Sequence, residues 1–235
     1  MSLRKVSLVT GEYFHVYNRG NSKQEIFLDD EDRERFVKFL FIHNTDKSVR
    51  FRDDIIKPRI SAWDFEKGND IVSIGAWTLM PNHFHLYVSS PRSCLGLEAS
   101  VNSDSSESNN IGDFMRKVCT SYSMYFNKKY NRTGSLFEAK FKAVHISDEV
   151  QAKYLFSYIH LNPIKLIFPN WKDHGIKDKT EALKFLGEYK WSSYLDHKGV
   201  KRSENKIIDR KNFVDYFPEV LDFDKEIFDW INLNG

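Results

Sequence analysis

The apolar periodicity of the chain predicts an α+β fold of the ferredoxin-like βαββαβ kind, an antiparallel sheet with helices on one face, followed by a C-terminal helical extension. Three observations predict it. Polarity alternates residue by residue at 13–18 and again at 83–88, as in half-buried strands. Apolar side chains recur at three and four after the acidic run Asp29-Asp-Glu-Asp32 (Phe36, Phe39, Leu40, Ile42) and from Ile111 to Tyr130 (Phe114, Val118, Tyr122, Tyr125, Phe126), as on amphipathic helices. The turn signal Met80-Pro-Asn82 joins two strand-like runs directly, which makes a hairpin.

In order along the chain, the first strand is closed by Arg19-Gly-Asn-Ser22, and the first helix follows its acids. Residues 45–70 are mixed in charge and longer than an ordinary connection, so a short hairpin or a variable insertion is expected there. Residues 71–79 are rich in strand formers and hand over to the strand of His83 and His85. The polar run from Ser100 to Asn110 cannot bury anything and reads as a flexible loop. After the second helix, Gly134 ends the unit and Ser135 to Ile146 reads as the last strand, with Lys140 and Lys142 on one side. Tyr154 to Leu161 follows an acidic cap at Ser147-Asp-Glu149 and reads as helical until Pro163. A helix-like stretch at 180–187 and a helical pattern from Phe213 to Leu233 make up the extension.

Composition bounds the function classes. A length of 235 residues suits one domain with a small appendage, and aromatics at 15% supply core volume and candidate platforms for unpaired bases. The net charge of +2 argues against a general nucleic-acid coat, but the charge is uneven. From Gly112 to His145 seven basic residues stand against two acidic ones, whereas Asp209 to Asp229 holds three against seven. A phosphate backbone would therefore meet the middle of the chain, unless those lysines are an ordinary solvated face. Cys94 and Cys119 lack metal-type spacing and imply no disulfide framework, and no run of eighteen apolar residues occurs, so a cytoplasmic protein without a membrane span is expected.

Two patterns carry chemistry. On a strand, His83, His85 and Tyr87 share one face and Phe84, Leu86 and Val88 the other, which presets two imidazoles about one metal diameter apart. The bland alternative is a pair of histidines meeting solvent or a carbonyl. Tyr158 and Asn162 stand four apart and so share a helix face, as a phenol beside a metal-binding amide or as a core tyrosine and a C-capping asparagine. His15, between Tyr13 and Tyr17, and His160, off the Tyr158 face, are either supporting groups or structural.

Five segments in order carry a resemblance: Tyr13-Phe-His-Val-Tyr-Asn-Arg-Gly20, Met80-Pro-Asn-His-Phe-His85, Tyr125-Phe-Asn-Lys-Lys-Tyr130 with Gly134-Ser-Leu-Phe137, Ser157-Tyr-Ile-His-Leu-Asn-Pro163 and Trp191-Ser-Ser-Tyr194. Over residues 10–200 the chain resembles the single-tyrosine HUH transposases, in particular the branch associated with repetitive extragenic palindromes. The resemblance implies a catalytic domain over 1–165, with the extension at 166–235, that nicks and rejoins single-stranded DNA beside hairpin (palindromic) ends through a 5′-phosphotyrosine. It puts the metal-binding pair on His83 and His85, the nucleophile on Tyr158 and the third ligand on Asn162, where some relatives carry glutamine. Magnesium or manganese suits that donor set. It also places the Tyr158 helix over the histidine strand. Arg19, Arg116, Lys117, Lys128, Lys129, Arg132, Lys140 and Lys142 are the candidate DNA contacts. A homodimer is compatible with the resemblance. The rivals are a rolling-circle type of HUH nickase, a catalytically silent hairpin-binding regulator and an unrelated two-histidine metallohydrolase.

Overall fold

Four strands form one antiparallel sheet in the order β2-β3-β1-β4, with β1 at Tyr13–Arg19, β2 at Ser73–Met80, β3 at His83–Ser89 and β4 at Lys142–Ile146. This is the ferredoxin-like order, as expected. The computed structural model describes residues 7–90, 110–213, 223–226 and 229. The polar run at 100–109 and most of the Phe213 to Leu233 pattern lie outside the described residues; Phe213 itself sits in a bend, while 223–226 are helical.

Helix α1 (Asp30–Ile42) begins where the acids predicted, because Asp29 accepts the Asp32 amide at 2.9 Å in a capping box. Asp32 is fully buried and accepts Tyr130 Oη at 2.7 Å, Tyr125 Oη at 3.0 Å and Lys129 Nζ at 2.9 Å, which ties α1 to α2 (Asn110–Lys129). Both helices pack on one sheet face, where Phe36, Leu40, Phe114, Val118 and Tyr122 meet Phe14, Val16, Phe84, Leu86 and Val88. The opposite face, carrying Ala76, Tyr87 and Ile146, is covered by α3 (Glu149–Leu161), whose N-cap Asp148 accepts the Gln151 amide at 2.8 Å. That face also receives Trp171 of α4 (Trp171–His174), Leu186 of α5 (Lys179–Glu188) and Tyr194 of α6 (Tyr194–His197).

Two expectations need correction. Of the two readings of residues 45–70, the short hairpin is absent: the chain makes single helical turns at Arg52–Ile56 and Ala62–Asp64 that bury Ile55 and Ala62 against the core. The connection is anchored by the Asn44 side chain, which accepts the Ile71 and Val72 amides and donates to Val72 O. The last strand is also shorter than Ser135 to Ile146. Before Lys142 the chain makes a single bridge at Phe137 to Gly20, because Asn18 Nδ2 donates to Ala139 O at 3.0 Å and diverts that segment from the ladder.

The Trp191-Ser-Ser-Tyr194 segment runs along the outer edge of β2. The Leu79 amide donates to Trp191 O, and the Ser193 amide to Trp77 O, each at 2.9 Å, so an edge that would otherwise invite pairing is covered. Ser193 Oγ accepts the Trp77 amide at 2.9 Å and lies 2.8 Å from His160 Nε2. Since His160 Nδ1 must donate to Phe156 O, 2.8 Å away, its Nε2 accepts the Ser193 hydroxyl. This chain of bonds locks α3 to β2. Ser193→Ala is expected to cost on the order of 2–4 kcal/mol, since two buried groups lose their partner; thermal melting within about 0.5 kcal/mol of the unaltered protein would contradict it.

Burial pushes the His43 imidazole down to about 4 and holds His160 well below the ordinary 6.5. The unfolded chain takes up these protons near 6.5 while the folded one refuses them, so stability is full above that pH and falls as pH drops toward 4. For His43 alone the loss is on the order of 3 kcal/mol by pH 4. Urea midpoints at pH 7.5 and 4.5 measure it, and His43→Gln is expected to flatten the fall.

Candidate active site

Strand register fixes which side chains share the α3 face. The row containing His85 runs Thr78, His85, Tyr17, Lys142 across the four strands, and beside it Met80, His83 and Arg19 form the next row. On the other side stand Ala76, Tyr87, His15 and Val144. The alternation expected for His83, His85 and Tyr87 holds: Tyr87 joins the α3-side core and Phe84, Leu86 and Val88 the opposite one. Helix α3 lies over β2 and β3, leaving the β1 and β4 half more open, where Val144 is 47% exposed.

Tyr158 projects from α3 onto this surface. Its ring lies 5.4 Å from that of His85, edge-on, and 6.3 Å from that of His15. The His83 and His85 rings are 5.0 Å apart. Asn162 follows the last turn of α3 and is fully buried, and neither its Oδ1 nor its Nδ2 has a hydrogen-bond partner of good geometry. Pro163, the breaker seen in the sequence, converts the helix here into a single tighter turn, Asn162–Leu166. That turn places Lys165 Nζ 5.7 Å from the centre of the Tyr158 ring. Lys165 lies beyond Pro163, where the helix ends, so helical spacing gave no signal for it.

Burial keeps the His83 imidazole neutral. Burial, with Lys165 and Arg19 nearby, pushes the His83 imidazole down to about 4. Burial alone does the same to His15. Burial also raises the Tyr158 phenol, an effect the Asn162 carboxamide partly offsets and Tyr154 and Tyr17 reinforce. His83 Nδ1 lies 2.6 Å from Asn82 Oδ1, and His85 Nδ1 lies 2.8 Å from His15 Nε2. Among the described residues no group of three or more His, Cys, Asp or Glu side chains is placed to hold a metal ion. A metal here would take two imidazoles and the Asn162 amide oxygen, and a buried carboxamide without a hydrogen bond of good geometry fits that use.

The candidate DNA contacts divide by face. Arg19 is exposed beside His83 and pairs with Glu138, Lys142 stands opposite Tyr17, and Lys140 is exposed just before β4. Helix α2, with Arg116, Lys117, Lys128 and Lys129, packs on the opposite face. There Lys129 is engaged by Asp29, Glu31 and Asp32, Lys117 donates to Thr45 O at 3.1 Å, Arg116 pairs with Asp113 at 3.3 Å, and Lys128 is exposed. Arg132 donates to Gln24 Oε1 at 2.8 Å. Of the two undecided histidines, His160 is structural, and His15 is the one that touches the site.

Among the described residues no helix is long and apolar enough to cross a membrane. No family model matches the chain, and no curated protein matches it. Among solved structures, it is similar to a REP-associated tyrosine transposase bound to a REP hairpin, at 15% identity and a TM-score of 0.43, over 87% of this chain and 90% of that one.

Proposed function

We propose that the chain is a metal-dependent enzyme that nicks single-stranded DNA beside a hairpin and rejoins it through a 5′-phosphotyrosine on Tyr158. The observation that carries this reading is the meeting of the Tyr158 ring with His85, 5.4 Å away, whose own ring lies 5.0 Å from that of His83, beside the buried Asn162 carboxamide. The sequence motifs supply the substrate class. A magnesium or manganese ion held by His83, His85 and Asn162 would draw charge from the non-bridging phosphate oxygens.

Tyr158 supplies the nucleophile. Its oxygen forms a bond to phosphorus while the bond to the 3′ oxygen breaks, the phenol proton is lost and the leaving oxygen ends as a 3′ hydroxyl. Phosphorus exchanges one ester for another, so a different 3′ hydroxyl reverses the step and joins a new end. A free phenol titrates near pH 10, and burial raises it here, so Tyr158 stays protonated and quiet until substrate and cation are in place. Lys165 stands over its ring, suited to meet the charge that develops on the phosphate.

The open half of the sheet provides the approach for unpaired nucleotides. Tyr17 and the 47% exposed Tyr154 offer rings for bases, and Arg19, Lys140 and Lys142 offer charge for phosphates. The basic residues of α2 face away, and their part is limited to general attraction of the polyanion.

The test is incubation with manganese and a hairpin oligonucleotide bearing a single-stranded flank. A covalent adduct, resolved on a denaturing gel, is the expected product. Binding without an adduct would make the protein a hairpin-binding regulator, and hydrolysis that survives Tyr158→Phe would make it a two-histidine hydrolase.

A further inference from the structure

Two ring nitrogens decide whether the histidine pair can act as a pair. A neutral imidazole carries one N–H, and the nitrogen that carries it cannot bind a metal. For His83 the assignment follows from its neighbour: Asn82 Oδ1, 2.6 Å from Nδ1, can only accept, so the proton sits on Nδ1 and Nε2 keeps its lone pair. His85 has no such carbonyl at its Nδ1. It has His15 Nε2, at 2.8 Å, from the neighbouring strand. The His15 and His85 rings lie 29° from parallel with centres 5.0 Å apart, the end-to-end arrangement that an in-plane bond between ring nitrogens needs, and Tyr17 packs 4.9 Å from His15.

We infer that His15 is a positioning residue which accepts the Nδ1 proton of His85, fixing the tautomer in which His85 Nε2 matches His83 Nε2 as a ligand. The two histidines are then oriented by the same device, one using the side chain before it in sequence and the other using a side chain from the adjacent strand. This role rests on the metal-dependent reading above and assigns a task to a residue outside the ligand set. Partners of this kind orient ligating histidines and change metal affinity by about 10–100-fold.

Two measurements on the full chain test it. Long-range proton–nitrogen NMR correlation of the metal-free protein is expected to show His85 protonated at Nδ1; a proton on Nε2 overturns the inference whatever the variants do. Manganese titration followed by electron paramagnetic resonance is expected to show binding weakened about 10–100-fold in His15→Phe, which keeps the ring but has no acceptor. His15→Gln places an amide oxygen near the lost Nε2 and is expected to restore affinity to within a few fold. Affinity unchanged in His15→Phe, or lost equally in His15→Gln, overturns the inference. The two readings fail separately: a Tyr158-dependent adduct with manganese affinity indifferent to His15 sinks this inference alone. Manganese affinity that follows His15 in a protein that never forms an adduct sinks the enzymatic reading instead.

Discussion

Tyr158→Phe is expected to abolish the covalent DNA adduct, lowering its rate of formation by about 10⁴-fold or more, while hairpin binding and melting temperature stay near those of the unaltered protein. The phenyl ring retains the edge-on contact with His85 and the parallel arrangement with Tyr154, whose plane lies 7° from its own, so packing is kept and one oxygen is removed. That oxygen is the proposed nucleophile. Tyr154→Phe and Tyr17→Phe serve as controls, because each removes an equivalent phenol from the same surface. An adduct that persists in Tyr158→Phe and disappears in either control would assign the nucleophile elsewhere.

His83→Ala is expected to lower manganese-dependent adduct formation by about 10²–10⁴-fold, with partial recovery at raised manganese. His83 is the better probe of the pair, because it is only partly buried, whereas His85 is 7% exposed and takes His15 with it when removed. His85→Ala should therefore reduce the rate at least as far and also cost stability, about 1–3 kcal/mol for the buried partner left behind. Melting of the metal-free variants gives the stability cost separately, and rates across a manganese series give the loss of metal affinity. A His83→Ala enzyme with unaltered rate at every manganese concentration would contradict the proposed ligand set.

Much of this architecture is legible in the amino-acid sequence. Alternation at Tyr13 to Asn18 and His83 to Val88, and the three-and-four spacing after Asp29 and Ile111, reproduce β1, β3, α1 and α2 to within a residue or two, because each element buries one face. What failed depended on long-range partners. Asn44 organises the 45–70 connection through the amides of residues 71 and 72, and Asn18 interrupts the last strand through Ala139, contacts 28 and 121 positions apart in sequence. Within the site, the His83 and His85 face and the Tyr158 and Asn162 spacing were visible as local patterns. The separation of the basic residues was not, since alternation says which side chains share a face but not which face a helix will cover. Lys129 illustrates it: a candidate phosphate contact by sequence, it is held by three carboxylates on the far side of the sheet. His15 was visible only as one strand residue among aromatics, because its partner lies 70 positions away.

Anomalous scattering from manganese in crystals of the full chain tests the convergence most directly. A single peak is expected within bonding distance of ring nitrogens of His83 and His85 and of Asn162 Oδ1, with the Tyr158 phenol beside it. A manganese ion bound at another place in the molecule, with these three side chains ligating nothing, would contradict the proposed centre.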